Sequence, residues 1–384
     1  MADDVEPFRA FEISALAHEL AHELSARGRP IIHMEFGQPS TPAPKAAIEV
    51  AHRVLDTDPM GYWESTALTR RIALHYANTY GLEVQPRRVI LTCGASPALL
   101  LALVATFPAG SRIAMARPGY VAYRNTVKAL NMVPVEIPCG PSERFQLTAQ
   151  ALARLEPAPA GVIIASPANP TGTIVPPQEL AGIADVCSAR RIRIVSDEIY
   201  HGLSYGAATR SMLEFEPTAL IVNSFSKYYS MAAWRLGWLV APERDLARCR
   251  AIAGNLFLTA PSLAQHAALA AMDSTAELQA NLAVYRRNRD LLLGALPQLG
   301  LREIAPPDGA FYIWANVGHL TADSLSLCKR LLRECGVATA PGVDFDPEQG
   351  RHFIRMSFAV STSEVEDAIR RMAPWFAQQA ATGR

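Results

Sequence analysis

Neither sign of charge is in excess in this 384-residue chain: 36 lysines and arginines face 36 aspartates and glutamates. That balance removes the electrostatic reason to expect nucleic acid or an anionic membrane as partner. Apolar runs of membrane-spanning length are missing too, because charges, prolines or glycines interrupt each one. The opening Met1-Ala2-Asp3-Asp4 lacks the basic-then-apolar layout of a secretion signal, so a cytoplasmic location is expected. The six cysteines (Cys93, Cys139, Cys187, Cys249, Cys328 and Cys335) have no metal-like spacing. Reduced thiols and no metal site are the expectation. Internal repeats and low-complexity linkers are also absent.

What is there is a chain that is 50% hydrophobic, enough for a large core and two domains. Residues Phe8 to Arg27 read as an amphipathic helix ended by Gly28 and Pro30. A short strand, Ile31–Met34, precedes the turn-rich Gly37-Gln38-Pro39. From about residue 45, helical segments (Lys45–Leu55, Leu68–Tyr80, Pro97–Phe107, Gln178–Ala189) alternate with short apolar runs. Those runs are Val89–Thr92, Arg112–Ala116, Val133–Ile137, Gly161–Ala165, Ile192–Ser196, Leu220–Asn223 and Trp234–Val240. Several are apolar throughout, as strands covered on both faces are. The alternation predicts an α/β layer with a mostly parallel sheet, whose ligands bind beyond the carboxyl ends of the strands. Past Ser262 a long helical stretch to Leu296 is expected. Strands at Ala310–Ala315 and His352–Ala359 and helices at Ser324–Cys335 and Ser363–Phe376 follow. The divisions are an N-terminal segment 1–44, a large domain 45–280 and a small α+β domain 281–384.

The segments that follow the strands carry the chemistry. Gly94-Ala95-Ser96-Pro97 opens a helix whose first amides suit an anion. Asp197-Glu198-Ile199-Tyr200, Asn169-Pro170-Thr171-Gly172 and Ser224-Phe225-Ser226-Lys227, with Arg235 eight residues on, fall at other strand ends. A carboxylate, a phenol, an amine and a guanidinium thus converge on one crevice. Gly94-x-Ser96-x-Ala98 also nearly matches a hydrolase nucleophile elbow, with His352 as a late base, so a serine hydrolase using Ser96 is a remote alternative. Arg355, inside the apolar strand Phe353–Phe358, needs a partner if buried.

Those three motifs, in this order, resemble the class I/II aminotransferases, pyridoxal-phosphate (PLP) enzymes of fold type I. The resemblance runs from Gly37 to Arg355. It implies a large domain around a mostly parallel seven-stranded sheet plus a smaller α+β domain. It further implies that Lys227 holds PLP as a Schiff base and shuttles the α-proton. Asp197 would pair with the ring nitrogen and keep the ring an electron acceptor. Tyr200 and Asn169 would contact the ring oxygen, and Tyr120 would stack on the ring. The phosphate would be held by Ala95, Ser96, Ser224 and Arg235, with Ser226 contributing. Tyr62 would reach it from a partner subunit, making the active unit a homodimer with shared sites. Gly37, Asn169 and Arg355 would bind the substrate α-carboxylate. Ala168 stands where many relatives carry asparagine. The implied reaction exchanges an amino group between an L-amino acid and a 2-oxo acid. A PLP lyase (β-eliminating or cyclopropane-forming) is the alternative on the same site. A non-catalytic PLP-binding regulator is a further one. The segment Phe8 to Leu16 is expected as an apolar lid favouring neutral or aromatic substrates.

Overall fold

The computed structural model describes residues 12–382. In chain order it places α1 (Glu12–Ala26), β1 (Ile32–His33), α2 (Lys45–Thr57), α3 (Thr66–Tyr80), β2 (Val89–Thr92), α4 (Ala95–Thr106), β3 (Arg112–Arg117), α5 (Val121–Ala129) and β4 (Val133–Pro138). Then come α6 (Ala149–Ala153), β5 (Gly161–Ala165), α7 (Pro177–Arg190), β6 (Arg193–Asp197), β7 (Leu220–Ser224), β8 (Gly237–Val240), α8 (Glu243–Leu256) and α9 (Ser262–Ala271). The C-terminal part holds α10 (Thr275–Ala295), β9 (Tyr312–Asn316), α11 (Ser324–Cys335), β10 (Val337–Ala338), β11 (Ala340–Pro341), β12 (Phe353–Ser357) and α12 (Thr362–Thr382).

Seven strands form one sheet in the order β2-β8-β7-β6-β5-β3-β4. Neighbours β7-β6-β5-β3-β4 run parallel, and only β8 is antiparallel to the strands beside it. Successive side chains of a strand face opposite sides, and here each side meets a different core. Val162, Ile164, Ile194 and Ile221 enter one core, while Ile163, Val195, Leu220 and Val222 enter the other. Such strands must be apolar along their length, which is why they lack polar alternation. Helix α4 is likewise apolar nearly all round, since it is buried against β7 and β8.

A third core gathers the antiparallel β11-β12-β9 sheet, α11 and α12 together with Ile13, Ala17 and Leu24 of α1. Strand β1 pairs in parallel with β10, tying the N-terminal segment to the C-terminal part. Helix α10 bridges the cores: Leu278 packs with the large sheet and Leu282, Tyr285 and Leu292 with the small one.

Several elements depart from the sequence reading, which names no helix at α5, α6 or α8 and no strand at β10 or β11. Strand β8 starts at Gly237, because Ala232–Trp234 is a 3-10 turn and Arg235 is left-handed at φ 53°. The stretch from Ser262 to Leu296 is two helices, broken after Ala271. Strand β9 begins at Tyr312, after the left-handed Ala310. Helix α5 lacks a long apolar period, and its nine residues escape detection. Of the expected helix Phe8–Arg27, Phe8 and Phe11 lie outside the described residues.

Candidate active site

The carboxyl ends of β2, β3, β5, β6 and β7 open onto one cavity of about 260 Å³. All the sequence-predicted residues line it except Ser224 and Tyr62. Ser224 lies beneath the floor, its hydroxyl donating to the Leu236 carbonyl (2.9 Å), while Ser226 lines the cavity. Tyr62 is 83% exposed in this single chain.

Asp197, the last residue of β6, is buried, and that burial raises its pKa. Two donors oppose the rise: the Tyr123 hydroxyl at 2.6 Å and the Ile199 amide at 3.1 Å. Tyr123 therefore belongs to the site although sequence reasoning gave it no role. Tyr123→Phe removes the stronger donor, so Asp197 protonates more readily. The acid limb of the activity profile should move to higher pH and kcat should fall about tenfold, measured by steady-state assays across pH.

Lys227 follows β7, its Nζ donating to the Gly37 carbonyl. Burial, then the Arg355 and Arg235 cations, lower its pKa to about 8 against the opposing pull of Asp197. A neutral amine is thus accessible near neutrality. Gly37 has a steric reason: a Cβ there would lie 1.9 Å from the Tyr312 hydroxyl. Tyr312 in turn bonds the Tyr200 hydroxyl (2.7 Å). No sequence signal marks Tyr312, whose role exists only once β9 lies beside β12.

Arg355 is 5% exposed and donates to the Asn169 side chain (2.9 Å) and the Glu35 carbonyl. The Tyr312 and Phe345 rings lie 4.5 and 4.6 Å from its guanidinium. Its Nε has no acceptor, so the fork retains a free donor for an anion. Ile13 and Ser14 border a recess that shares Glu35, Tyr120 and Arg355 with this cavity.

At the opposite end, α4 begins with Gly94 as its cap at φ 104°. A Cβ at Gly94 would sit 2.6 Å from Arg235 Nη2, so glycine lets the guanidinium lie against the helix start. Arg235 donates only to the Ala232 and Cys93 carbonyls and has no carboxylate partner among the described residues. With the Ala95 and Ser96 amides at the start of α4 it could hold an anion.

The hydrolase reading is corrected by placement. Ser96 lines this cavity, whereas His352 lines a different one, and no histidine lines the first. A serine without a base is not an activated nucleophile.

Glu198 points away from the cavity although it follows Asp197. Its Oε1 accepts from Ser211 (3.0 Å), Ser196 (3.2 Å) and the Met212 amide (2.9 Å). Glu198→Ala would leave those donors unpaired and cost about 3 kcal/mol, visible as a lower urea midpoint. Nearby His201, buried, has its pKa pushed down by desolvation. Its native pKa lies below the unfolded value, so the unfolded chain binds the extra proton and stability falls as pH drops below about 6.5.

A sequence model described as aminotransferase class I and II matches residues 29–372. The chain belongs to that family. A valine–pyruvate aminotransferase of Mycobacterium tuberculosis is 45% identical over 356 residues, covering 91% of this chain and 92% of that protein. An aspartate aminotransferase of Sulfurisphaera tokodaii is 31% identical, covering 90% of each. The crystal structure of an aminotransferase from Mycobacterium tuberculosis matches with a TM-score of 0.94 at 44% identity over 98% of both chains. Thermus thermophilus aspartate aminotransferase with maleate matches at 0.87, with 29% identity over 94% of this chain and 96% of that one. This chain is therefore a PLP-dependent aminotransferase on the fold-type-I scaffold. These relatives do not favour the lyase alternative, and the regulator reading gives way to an enzyme.

Proposed function

We propose that Lys227 is the lysine that binds PLP and moves the substrate α-proton, and that the substrates carry neutral side chains. The observation that carries the first part is a buried lysine with a lowered pKa in one cavity with Asp197 and Arg355. The donor set fits the cofactor. Asp197 supplies a buried carboxylate for a protonated ring nitrogen, and Arg235 with the start of α4 supplies an unpaired anion site for a phosphate. Bound PLP supplies the electron sink. Tyr120 would cover the ring face, and Tyr200 and Asn169 would contact the ring oxygen. Arg355 and the Gly37 amide would hold the α-carboxylate, which fixes the α-hydrogen relative to Nζ. Ser226, which lines the cavity, and Ser224, whose hydroxyl lies 2.9 Å from that of Ser226, would add phosphate donors.

For the substrate, Lys227, Arg235 and Arg355 are the cations lining the cavity, and each has a task. No further arginine or lysine among the described residues lines it for a second carboxylate, whereas the acidic residue Glu35 does. The apolar Ile13 beside the Arg355 recess supports the lid reading of α1. The relative named for valine and pyruvate makes those the first substrates to try.

The exposed Tyr62 supports a homodimer in which it reaches the partner's phosphate site. If so, Tyr62→Phe should leave the dimer intact by sedimentation and weaken PLP retention about tenfold, the worth of one charge-assisted hydrogen bond. The six free cysteines support a reducing, cytoplasmic setting. The change of core along α10 between Leu278 and Leu282 supports the divisions 1–44, 45–280 and 281–384.

The test is a visible spectrum of the holoenzyme as single amino acids are added without any oxo acid. Bleaching of the bound-cofactor band by valine or alanine, faster than by aspartate, is expected. A faster response to aspartate would sink the neutral-substrate reading. A protein that takes up no PLP would sink the assignment of Lys227.

A further inference from the structure

A cavity of about 720 Å³ lies apart from the catalytic one and shares no lining residue with it. Its wall is aromatic. The rings of Trp314 and Phe353 stack at 3° with centroids 5.0 Å apart, and Phe145 meets Phe353 edge-on. One N–H donor of a lining residue, Nε1 of Trp314, is buried with no acceptor, while the Arg117 guanidinium is paired with Asp346 and Glu348. A buried donor without a partner is costly, so such groups mark a place for an acceptor. Arg302, also lining the cavity, is exposed and makes no side-chain ion pair or hydrogen bond among the described residues.

Both acidic groups of the same cavity have hydrogen-bond donors. Glu303 accepts from the Asn316 amide at 2.9 Å. Asp346 accepts from the Glu348 and Gln349 amides and faces Arg117 at 3.5 Å. An unspent indole N–H and an unpaired cation beside aromatic rings suit a planar ring carrying a carboxylate.

We propose that this cavity is a second ligand site, for an aromatic monocarboxylate, and that its occupancy is felt at Arg355. One ring separates the two. Phe345 meets Trp314 edge-on at 5.8 Å and lies 4.6 Å from the Arg355 guanidinium. The Phe345 carbonyl also accepts from the Gly119 amide, next to Tyr120. Filling the space against Trp314 therefore bears on both the carboxylate-binding arginine and the ring-covering tyrosine. The coupling rests on the reading of Arg355 given above; the binding does not.

Isothermal titration of the holoenzyme with indole-3-acetate, with and without saturating amino acid, tests both. Saturable binding that persists with the amino acid present is expected, with mixed rather than competitive inhibition of turnover. Arg302→Ala should weaken that binding at least tenfold while leaving kcat and KM unchanged without the probe. Trp314→Phe keeps the ring, loses the N–H and should weaken it severalfold. Binding that amino acid fully displaces, or that Arg302→Ala leaves intact, would overturn the site. So would a lack of saturation by about 10 mM. Persistent, Arg302-dependent binding with no effect on turnover would overturn the coupling alone. Failure of the Lys227 assignment would appear separately, as absent PLP uptake.

Discussion

Lys227→Ala should lower kcat by about four orders of magnitude, the upper range for loss of a positioned acid–base group. The protein should still fold, because Nζ makes its hydrogen bond to a backbone carbonyl and no ion pair. Removing a buried amine whose pKa is depressed also removes a desolvation penalty. Single-turnover kinetics with added PLP, alongside circular dichroism, separate the two effects. Retention of more than about 1% of the wild-type rate would assign the proton transfer to another group.

The second large effect is expected at Arg355. Arg355→Met should reduce kcat/KM for the amino acid about 10³-fold, equivalent to about 4 kcal/mol, within the range for truncating a buried, hydrogen-bonded charge partner. Arg355→Lys should recover only part of this, because a point charge cannot make the forked contact. The loss should be specific to substrates with an α-carboxylate: a simple primary amine, which offers none, should lose far less. Equal losses for both substrates would mean that Arg355 holds the fold together instead. Its stacking between Tyr312 and Phe345 makes that a real alternative, and a denaturation midpoint close to wild type would set it aside.

Much of the scaffold was legible because it rests on short-range rules. Strands buried on both faces must be apolar throughout, and β2, β5, β6 and β7 were found on that ground. The motif residues were legible because they sit next to those strands, where the chain itself delivers them. What escaped is what depends on distant contacts. Tyr312 becomes a site residue only when β9 pairs with β12 and its hydroxyl meets Tyr200, 112 positions earlier in the chain. Tyr123 is three residues from the recognised Tyr120, yet its direction depends on α5, a helix of only nine residues. Ser224 ends β7 as the motif implies, and its hydroxyl lies 2.9 Å from both the Leu236 carbonyl and the Ser226 hydroxyl.

The contact between Gly37 and the Tyr312 hydroxyl has a consequence for how this enzyme could change over generations. Because an added Cβ would overlap the Tyr312 hydroxyl at 1.9 Å, position 37 is closed to every residue bearing a side chain while Tyr312 stays in place. Substitution there would have to wait for a smaller residue at 312, which would give up the bond to Tyr200. Two neighbours are not locked in this way. Phe36 is 43% exposed, and the side chain of Glu35 bonds His33 alone, with Oε2 unpaired. Drift in substrate preference therefore has an open route through residues 35 and 36 and a barred one through 37. Related enzymes with different substrates should vary at the first two positions and keep glycine at the third.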